Sequence, residues 1–200
     1  MPSNYMVYPA NSSEAAKAVY ARLVTNREGQ SGRNPAALEG AKENILKFTA
    51  KQFTRDGVIQ CKAAVEEVFP LLCPKREEEW IPGWECETIW SNSGYNEEGA
   101  IFRTMKPYGT ELYWTTLQYD IRNKIVDFLI TAPRLYMFRF KIHVYEISNG
   151  LLSMTFTQVF TSISEEGNAL LERYEREDFK ERLRALAEFM NRHLDDKRKN

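Results

Sequence analysis

The chain has 200 residues, 43% of them hydrophobic and 28% charged, which is typical of a soluble globular protein. Its formal net charge of −1 gives no electrostatic reason to expect nucleic acid or an anionic membrane as a partner. No apolar run is long enough to span a bilayer, and the start, Met1–Asn4, lacks the pattern of a signal peptide. We therefore expect a cytoplasmic protein, whose cysteines Cys61, Cys73 and Cys86 are reduced core thiols.

Residues 1–50 predict two amphipathic helices joined by a flexible link. Ser12 or Ser13 is a suitable N-cap for the first helix, and Asn34-Pro35 starts the second. We interpret this region as a helical N-terminal extension, with a lid or a dimerisation arm as the functional alternative. Residues 51–200 are then the main domain. The oligomeric state stays open, and a homodimer is one alternative.

From Phe53 the pattern changes to one strand followed by short helices. The strand is expected to bend at Asp56-Gly57. Pro74 and Pro82-Gly83 break regular structure beyond it. The predicted elements are a strand over Phe53–Lys62 and short helices over Ala64–Leu72 and Lys75–Trp80.

Six further runs have the alternation of strands and are separated by turn signals. Asn149-Gly150 is the strongest hairpin signal, and Pro107–Gly109 marks another turn. The predicted strands are Trp84–Trp90, Ala100–Met105, Glu111–Ile121, Lys124–Thr131, Tyr136–Ile147 and Leu152–Thr161.

One long helix is predicted at the C-terminal end. Ser162 or Ser164 caps it, and it continues to about Leu194. Its buried stripe consists of Leu171, Phe179, Leu183, Leu186, Met190 and Leu194. Glu175, Asp178 and Arg182 project close to the same face. Either this face is partly solvated, or Asp178 and Arg182 pair at i,i+4, or the face overlooks a wet cavity.

This order of elements predicts an α+β fold. Local connections favour an antiparallel meander of about seven strands, and only the long C-terminal helix is large enough to cover its apolar face. A sheet curved around a single helix leaves space for a small-molecule cavity. The Trp80–Trp84 turn is expected at the rim of that cavity, unless its rings only fix a structural corner.

Two segments carry a resemblance to a known superfamily. Val68–Pro74 running into Glu79–Trp84, together with Ile163–Asn168, resembles the START/polyketide-cyclase-like (SRPBCC) superfamily, which includes the birch-pollen-allergen fold. The resemblance covers about Phe53 to Leu194. It implies the helix-grip fold with a deep hydrophobic pocket. It does not fix a function, because such proteins include lipid and polyketide carriers, cyclases, co-chaperones and oxygenase domains.

Metal and cofactor chemistry find little support in the sequence. The only histidines, His143 and His193, lie on different predicted elements, which disfavours the oxygenase branch. The glycines form no phosphate-binding motif, and no Gly-x-Ser-x-Gly elbow is present. We expect no metal and no cofactor.

Acid–base catalysis stays open as an alternative, in the form of a cyclase- or dehydratase-like lyase without a metal. The candidate residues are Tyr113, Asp120, Asp127, Arg139, His143 and Glu175. Asp127 lies opposite the apolar side of its strand and is expected to be exposed. His143 shares a side with Arg139, which suggests the solvated convex face of the sheet.

Binding is the best supported function, since many large rings lie on one sheet face. Gln158 interrupts that face and is a suitable group to orient a ligand. The expected ligand-binding residues are Trp80, Trp84, Trp90, Trp114, Phe138, Phe156, Gln158, Phe160 and Glu175. Each ring would also fit a simple core. We therefore expect binding or transport of a small hydrophobic or amphipathic molecule, with a co-chaperone-like interaction module as a further alternative.

Overall fold

A computed structural model describes residues 48–105 and 110–199. They form one seven-stranded antiparallel sheet in the order β1-β7-β6-β5-β4-β3-β2. The strands are β1 (Gln52–Cys61), β2 (Cys86–Trp90), β3 (Ile101–Met105), β4 (Glu111–Asp120), β5 (Ile125–Ala132), β6 (Tyr136–Ser148) and β7 (Leu151–Ser162). The helices are α1 (Val65–Val68), α2 (Glu165–Arg176) and α3 (Phe179–Lys199), with 3₁₀ turns at Phe69–Leu72 and Arg76–Glu79. The predicted turn at residues 107–109 and all but the last three residues of the predicted extension lie outside this described part.

One face of the sheet packs against α2 and α3, and we call it the inner face. Strand alternation places the buried side chains there, and antiparallel pairing aligns them between neighbours, as in Phe138 opposite Phe160. Its fully buried members include Phe102, Phe128, Ile130, Ile142, Met154 and Phe160. The α+β architecture predicted from the sequence, a curved sheet closed by C-terminal helical structure, is confirmed.

Helix α3 crosses close to β1 at Gly57. A Cβ atom on Gly57 would lie 2.0 Å from Leu183 Cδ1 and 3.2 Å from a ring carbon of Phe179. The pairing of β1 with β7 continues without interruption through this residue. Gly57 therefore allows α3 to pack closely against β1, and the strand pairing shows no interruption at the predicted bend.

The single long helix predicted from the sequence is two helices in the structure. Glu177 has an extended backbone with ψ 142°, and the chain then starts α3. The Asp178 carboxylate accepts hydrogen bonds from the backbone N–H groups of Lys180 (2.9 Å) and Glu181 (3.1 Å). Asp178 is therefore an N-cap and not a partner of Arg182, whose Nη1 lies 3.0 Å from Glu177 Oε2.

The start of α2 is fixed by short polar contacts. Ser164 is the N-cap, since its hydroxyl accepts a hydrogen bond from Gly167 N at 3.0 Å. Ser162 instead accepts one from Lys51 N at 2.8 Å. A Cβ atom on Gly167 would lie 1.8 Å from the Leu135 carbonyl oxygen. The glycine therefore allows α2 to begin directly against the β5–β6 connection.

Two further properties follow from the described residues. All three cysteines are free and buried, in accord with their prediction as core thiols. Within residues 48–105 and 110–199, no helix is long and apolar enough to cross a membrane.

Candidate functional site

Four phenylalanines form an aromatic wall on the inner face: Phe138, Phe140, Phe156 and Phe160. The rings of Phe138 and Phe160 stack with centroids 4.4 Å apart, and those of Phe140 and Phe156 lie 5.9 Å apart. The wall arises because alternate residues of β6 and β7 face the helices and meet in register. All four side chains are buried, so the wall is part of the hydrophobic core.

The tryptophans at the other end of the inner face are held by hydrogen bonds. Trp84 meets Trp114 edge to face at 5.8 Å. The Trp114 indole N–H donates to Thr104 Oγ1 at 2.9 Å. Trp80 and Trp84 donate to the backbone carbonyl oxygens of Leu71 (3.0 Å) and Pro74 (2.8 Å). These contacts tie the Trp80–Trp84 turn to the preceding segment at Leu71 and Pro74, so both rings have a structural role. We call this turn the tryptophan corner.

Trp90 lies apart from these rings. The pairing of β2 with β3 shifts between Thr88 and Trp90, so that Trp90 is opposite Ile101 while Thr88 is opposite Phe102. This bulge turns the Trp90 side chain to the outer face, where it is 49% exposed. Simple alternation from Trp84 had placed it on the inner face.

Glu175 also lies away from the aromatic wall. Its carboxylate is 2.9 Å from Lys51 Nζ, and its side chain is 49% exposed. Glu175 is therefore a surface ion pair between α2 and the segment that enters β1.

The sequence reasoning missed Arg55, which is the most unusual polar residue of the inner face. Its Nε donates a hydrogen bond to Gln158 Oε1 at 2.7 Å. Its Nη1 is buried and has no hydrogen-bond partner among the described residues. The alternation of Phe53, Arg55 and Gly57 on β1 was the signal that could have placed Arg55 on the inner face, and the register of β1 against β7 places it opposite Gln158.

The Arg55 guanidinium lies between the sheet and the helices. Its Cζ is 4.9 Å from the centroid of the Phe160 ring and 4.3 Å from that of Phe179. Phe160 belongs to β7, whereas Phe179 is the first residue of α3. The cation is thus held against two aromatic rings directly beneath the junction of α2 and α3.

Burial and the positive charge of Arg182 lower the pKa of Arg55 to about 10. Burial is the larger cause, since removing water from a cation disfavours its charged form. Glu177 acts in the opposite direction. Arg55 is still a cation near neutral pH, although its environment stabilises that charge poorly.

Two tyrosines complete this group. The rings of Tyr136 and Tyr174 meet edge to face at 5.7 Å, which places the two side chains together. Burial raises the pKa of Tyr136 above its usual value, and the charge of Arg55 opposes that rise. We call Arg55, Gln158, Tyr136 and Tyr174 the polar cluster. It offers hydrogen-bonding groups at the edge of an otherwise aromatic surface.

The proposed acid–base residues do not meet at this cluster. Asp120 accepts hydrogen bonds from Asn123 in the β4–β5 turn. Tyr113 donates to Glu111 at 3.2 Å, and His143 packs beside Tyr145 at 5.2 Å. Their register places Tyr113 and His143 on the outer face. These side chains are not arranged to act together on one ligand.

Asp127 is buried, contrary to the prediction that it is exposed. It is only 1% exposed, and Arg139 Nε donates to its two carboxylate oxygens at 3.0 and 2.9 Å. Asp127 is a short residue on a central strand, flanked by Gln118 and Lys141. Arg139 closes over it on the outer face, so the pair is a structural contact.

Glu77 is a second buried acidic group that the sequence reasoning did not single out. It is 6% exposed and lies on the 3₁₀ turn Arg76–Glu79. Burial raises the pKa of Glu77 to about 8. Its charge acts on the thiols of Cys73 and Cys86, so it lies near the tryptophan corner and not in the polar cluster.

A hollow of about 350 Å³ lies beside β2 and β3. It is lined by Glu78, Glu85, Cys86, Glu87, Arg103, Met105 and Glu111. Arg103 pairs with Glu87 and Glu111, and Glu78 pairs with Lys75. Most of its charges therefore satisfy one another. In the described part of the chain, no three His, Cys, Asp or Glu side chains are grouped as a metal site requires.

The fold is similar to that of several solved structures. Norcoclaurine synthase from Thalictrum flavum aligns with a TM-score of 0.57 and 13% identity, covering 76% of this chain and 99% of that one. A START superfamily protein from Mycobacterium smegmatis gives a TM-score of 0.54 and 9% identity, covering 72% and 97%. Major latex-like protein 151 from Panax ginseng gives 0.51 and 12%, covering 72% and 95%.

The sequence itself matches no protein-family model and no curated protein. The structural similarity establishes the helix-grip fold that the resemblance to the START/polyketide-cyclase-like superfamily implied. At these identities it does not carry over a ligand or a reaction.

Proposed function

We propose that this protein binds a small amphipathic molecule on the inner face, between the sheet and helices α2 and α3. The observation that carries the proposal is the Arg55–Gln158 pair, which sits within an aromatic surface beneath the helix junction. A polar pair in such a place needs a further partner to satisfy it, whereas a core selected only for stability would be apolar.

The aromatic wall supplies the apolar half of this proposed site. Phe138, Phe156 and Phe160 are buried side chains that would supply the contacts for an aromatic or aliphatic group. The polar cluster supplies the orienting half. This division between many apolar contacts and a few polar ones is typical of small-molecule sites.

The alternative functions have less support from the described residues. A cyclase- or dehydratase-like reaction through Asp120, Arg139, His143 or Glu175 would need one of them at the inner face, and each has a partner elsewhere. A co-chaperone-like role that depends on residues 1–50 stays a prediction. Deletion of that extension followed by a measurement of oligomeric state would test it.

Thermal unfolding with a panel of apolar and amphipathic probes tests the binding proposal. We expect several probes to raise the melting temperature, because a ligand that binds only the folded state stabilises it. Phe156→Leu should reduce this rise, since it removes one ring of the wall but keeps an apolar side chain. Leu117→Ala, at a 43% exposed position in β4, is the matched control and should leave the rise unchanged. A panel without any stabilising probe would contradict the proposal.

A further inference from the structure

The polar cluster contains a positive charge that no carboxylate of the described residues balances. The nearby carboxylate of Glu177 is used by Arg182, with 3.0 Å between Oε2 and Nη1. Glu175 pairs with Lys51, and Asp178 caps α3. Arg55 has no salt bridge with any described residue.

The free donors of Arg55 lie on one edge of the guanidinium. Gln158 accepts from Nε, which leaves the edge formed by Nη1 and Nη2. Two parallel N–H groups on this edge match the two oxygens of a carboxylate. The Arg139–Asp127 pair on the outer face is a bidentate guanidinium–carboxylate contact in this chain, made through Nε and Nη2.

The surroundings of Arg55 favour a planar monoanion over a tetrahedral dianion. The Phe160 and Phe179 rings contact the guanidinium and supply no further hydrogen-bond donors for an anion. Arg55 and Arg182 together with Glu177 leave one net positive charge. A carboxylate balances that charge, whereas a phosphate dianion would exceed it and would need further donors.

We infer that Arg55 binds the carboxylate of an amphipathic monocarboxylic acid, whose apolar part packs on Phe138, Phe156 and Phe160. The inference rests on the proposed function and names the chemical class of its ligand. Gln158 holds the guanidinium in position through its hydrogen bond to Nε. The junction of α2 and α3 lies over the carboxylate end of the site.

Isothermal titration of the full chain with matched acid and amide probes tests this inference. Two pairs serve: 1-naphthylacetate with 1-naphthylacetamide, and octanoate with octanamide. Each amide keeps the shape of its acid but carries no charge. We expect the acid to bind about tenfold more tightly or better, as charge-assisted hydrogen bonds in a dry site are strong.

Three variants locate the source of that preference. Arg55→Gln should lower the affinity for the acid to that of its amide and leave the amide affinity nearly unchanged. Arg55→Lys keeps the positive charge but removes the planar pair of N–H groups, so it should retain part of the preference for the acid over the amide. Arg184→Gln, an exposed position on α3, should behave as the unmodified chain. The ratio of acid affinity to amide affinity for the unmodified chain tests carboxylate recognition even if a variant fails to fold.

The outcomes separate the two proposals. Equal binding of acid and amide to the unmodified chain, or a preference that survives in Arg55→Gln, would overturn carboxylate recognition while leaving small-molecule binding intact. The absence of binding by every probe, charged or neutral, would overturn the proposed function and this inference together.

Discussion

At the scale of single residues, burial shifts the pKa of two charged side chains, the partly buried Arg55 and the buried Glu77. Arg55 lies at the polar cluster, and Glu77 lies at the tryptophan corner. Burying an ionisable group disfavours its charged form, which lowers the pKa of Arg55 and raises that of Glu77. Both groups therefore cost stability near neutral pH, and that cost can be measured.

Replacement of Glu77 by Gln should change how stability depends on pH. The pKa of Glu77 rises from 4.5 to about 8 on folding, so between these values the folded chain binds more protons than the unfolded chain. The contribution of Glu77 to the free energy of unfolding therefore falls as pH increases through this window and is constant above it. Each pKa unit corresponds to about 1.4 kcal/mol.

Urea unfolding from pH 4.5 to pH 8 measures this difference. Glu77→Gln should gain stability relative to the unmodified chain as pH rises. Glu78→Gln is the control, because Lys75 lowers the pKa of Glu78 and any loss of its contribution occurs below this window. Parallel pH profiles of the unmodified chain and Glu77→Gln would show that Glu77 is ionised in the folded protein.

The sequence predicted some residue positions because alternation is a local property. It placed Phe138, Phe156, Gln158 and Phe160 on one face of the sheet. It could not reveal the neighbour of Gln158, since that neighbour, Arg55, is 103 positions away in the sequence. Trp90 lies on the outer face because of a bulge between Thr88 and Trp90, and period-two alternation does not predict bulges.

At the scale of elements, the break between α2 and α3 positions the proposed site. Asp178 and Glu181 have the spacing of an N-cap followed by an acidic residue at its third helical position. The apolar stripe runs through both helices, with Leu171, Leu183, Met190 and Leu194 buried, so periodicity alone predicted one helix. The break brings Phe179 onto the Arg55 guanidinium.

Gly167→Ala should destabilise the chain, although alanine is the better helix former. The added Cβ would lie 1.8 Å from the backbone oxygen of Leu135, so the start of α2 or the β5–β6 connection must move. Such overpacking costs about 1–3 kcal/mol. Chemical unfolding measures the loss.

The opposite change at a neighbouring position is the control. Ala169→Gly, at an exposed residue of the same helix, should cost only about 1 kcal/mol through helix propensity. If propensity alone governed α2, Gly167→Ala would be stabilising by a similar amount, and that result would contradict the close contact with Leu135.

At the scale of the whole molecule, the helix-grip fold follows from the order of its elements. Strand runs, hairpin signals and one amphipathic C-terminal segment predicted the sheet and its covering helices, and the structure has this arrangement. Norcoclaurine synthase and the START superfamily protein share it at 13% and 9% identity. A fold shared at such low identity depends on the pattern of apolar and polar residues, whereas the chemistry of the proposed site depends on individual residues such as Arg55.

Native mass spectrometry of the freshly purified full chain would detect a bound amphipathic acid by its mass. If the inner face binds an amphipathic acid, the native spectrum should contain an adduct that disappears on denaturation, and Arg55→Gln should carry less of it. Ligand binding at the inner face would be contradicted if the spectrum shows only the bare chain and if the chain also binds none of the acid or amide probes added before measurement.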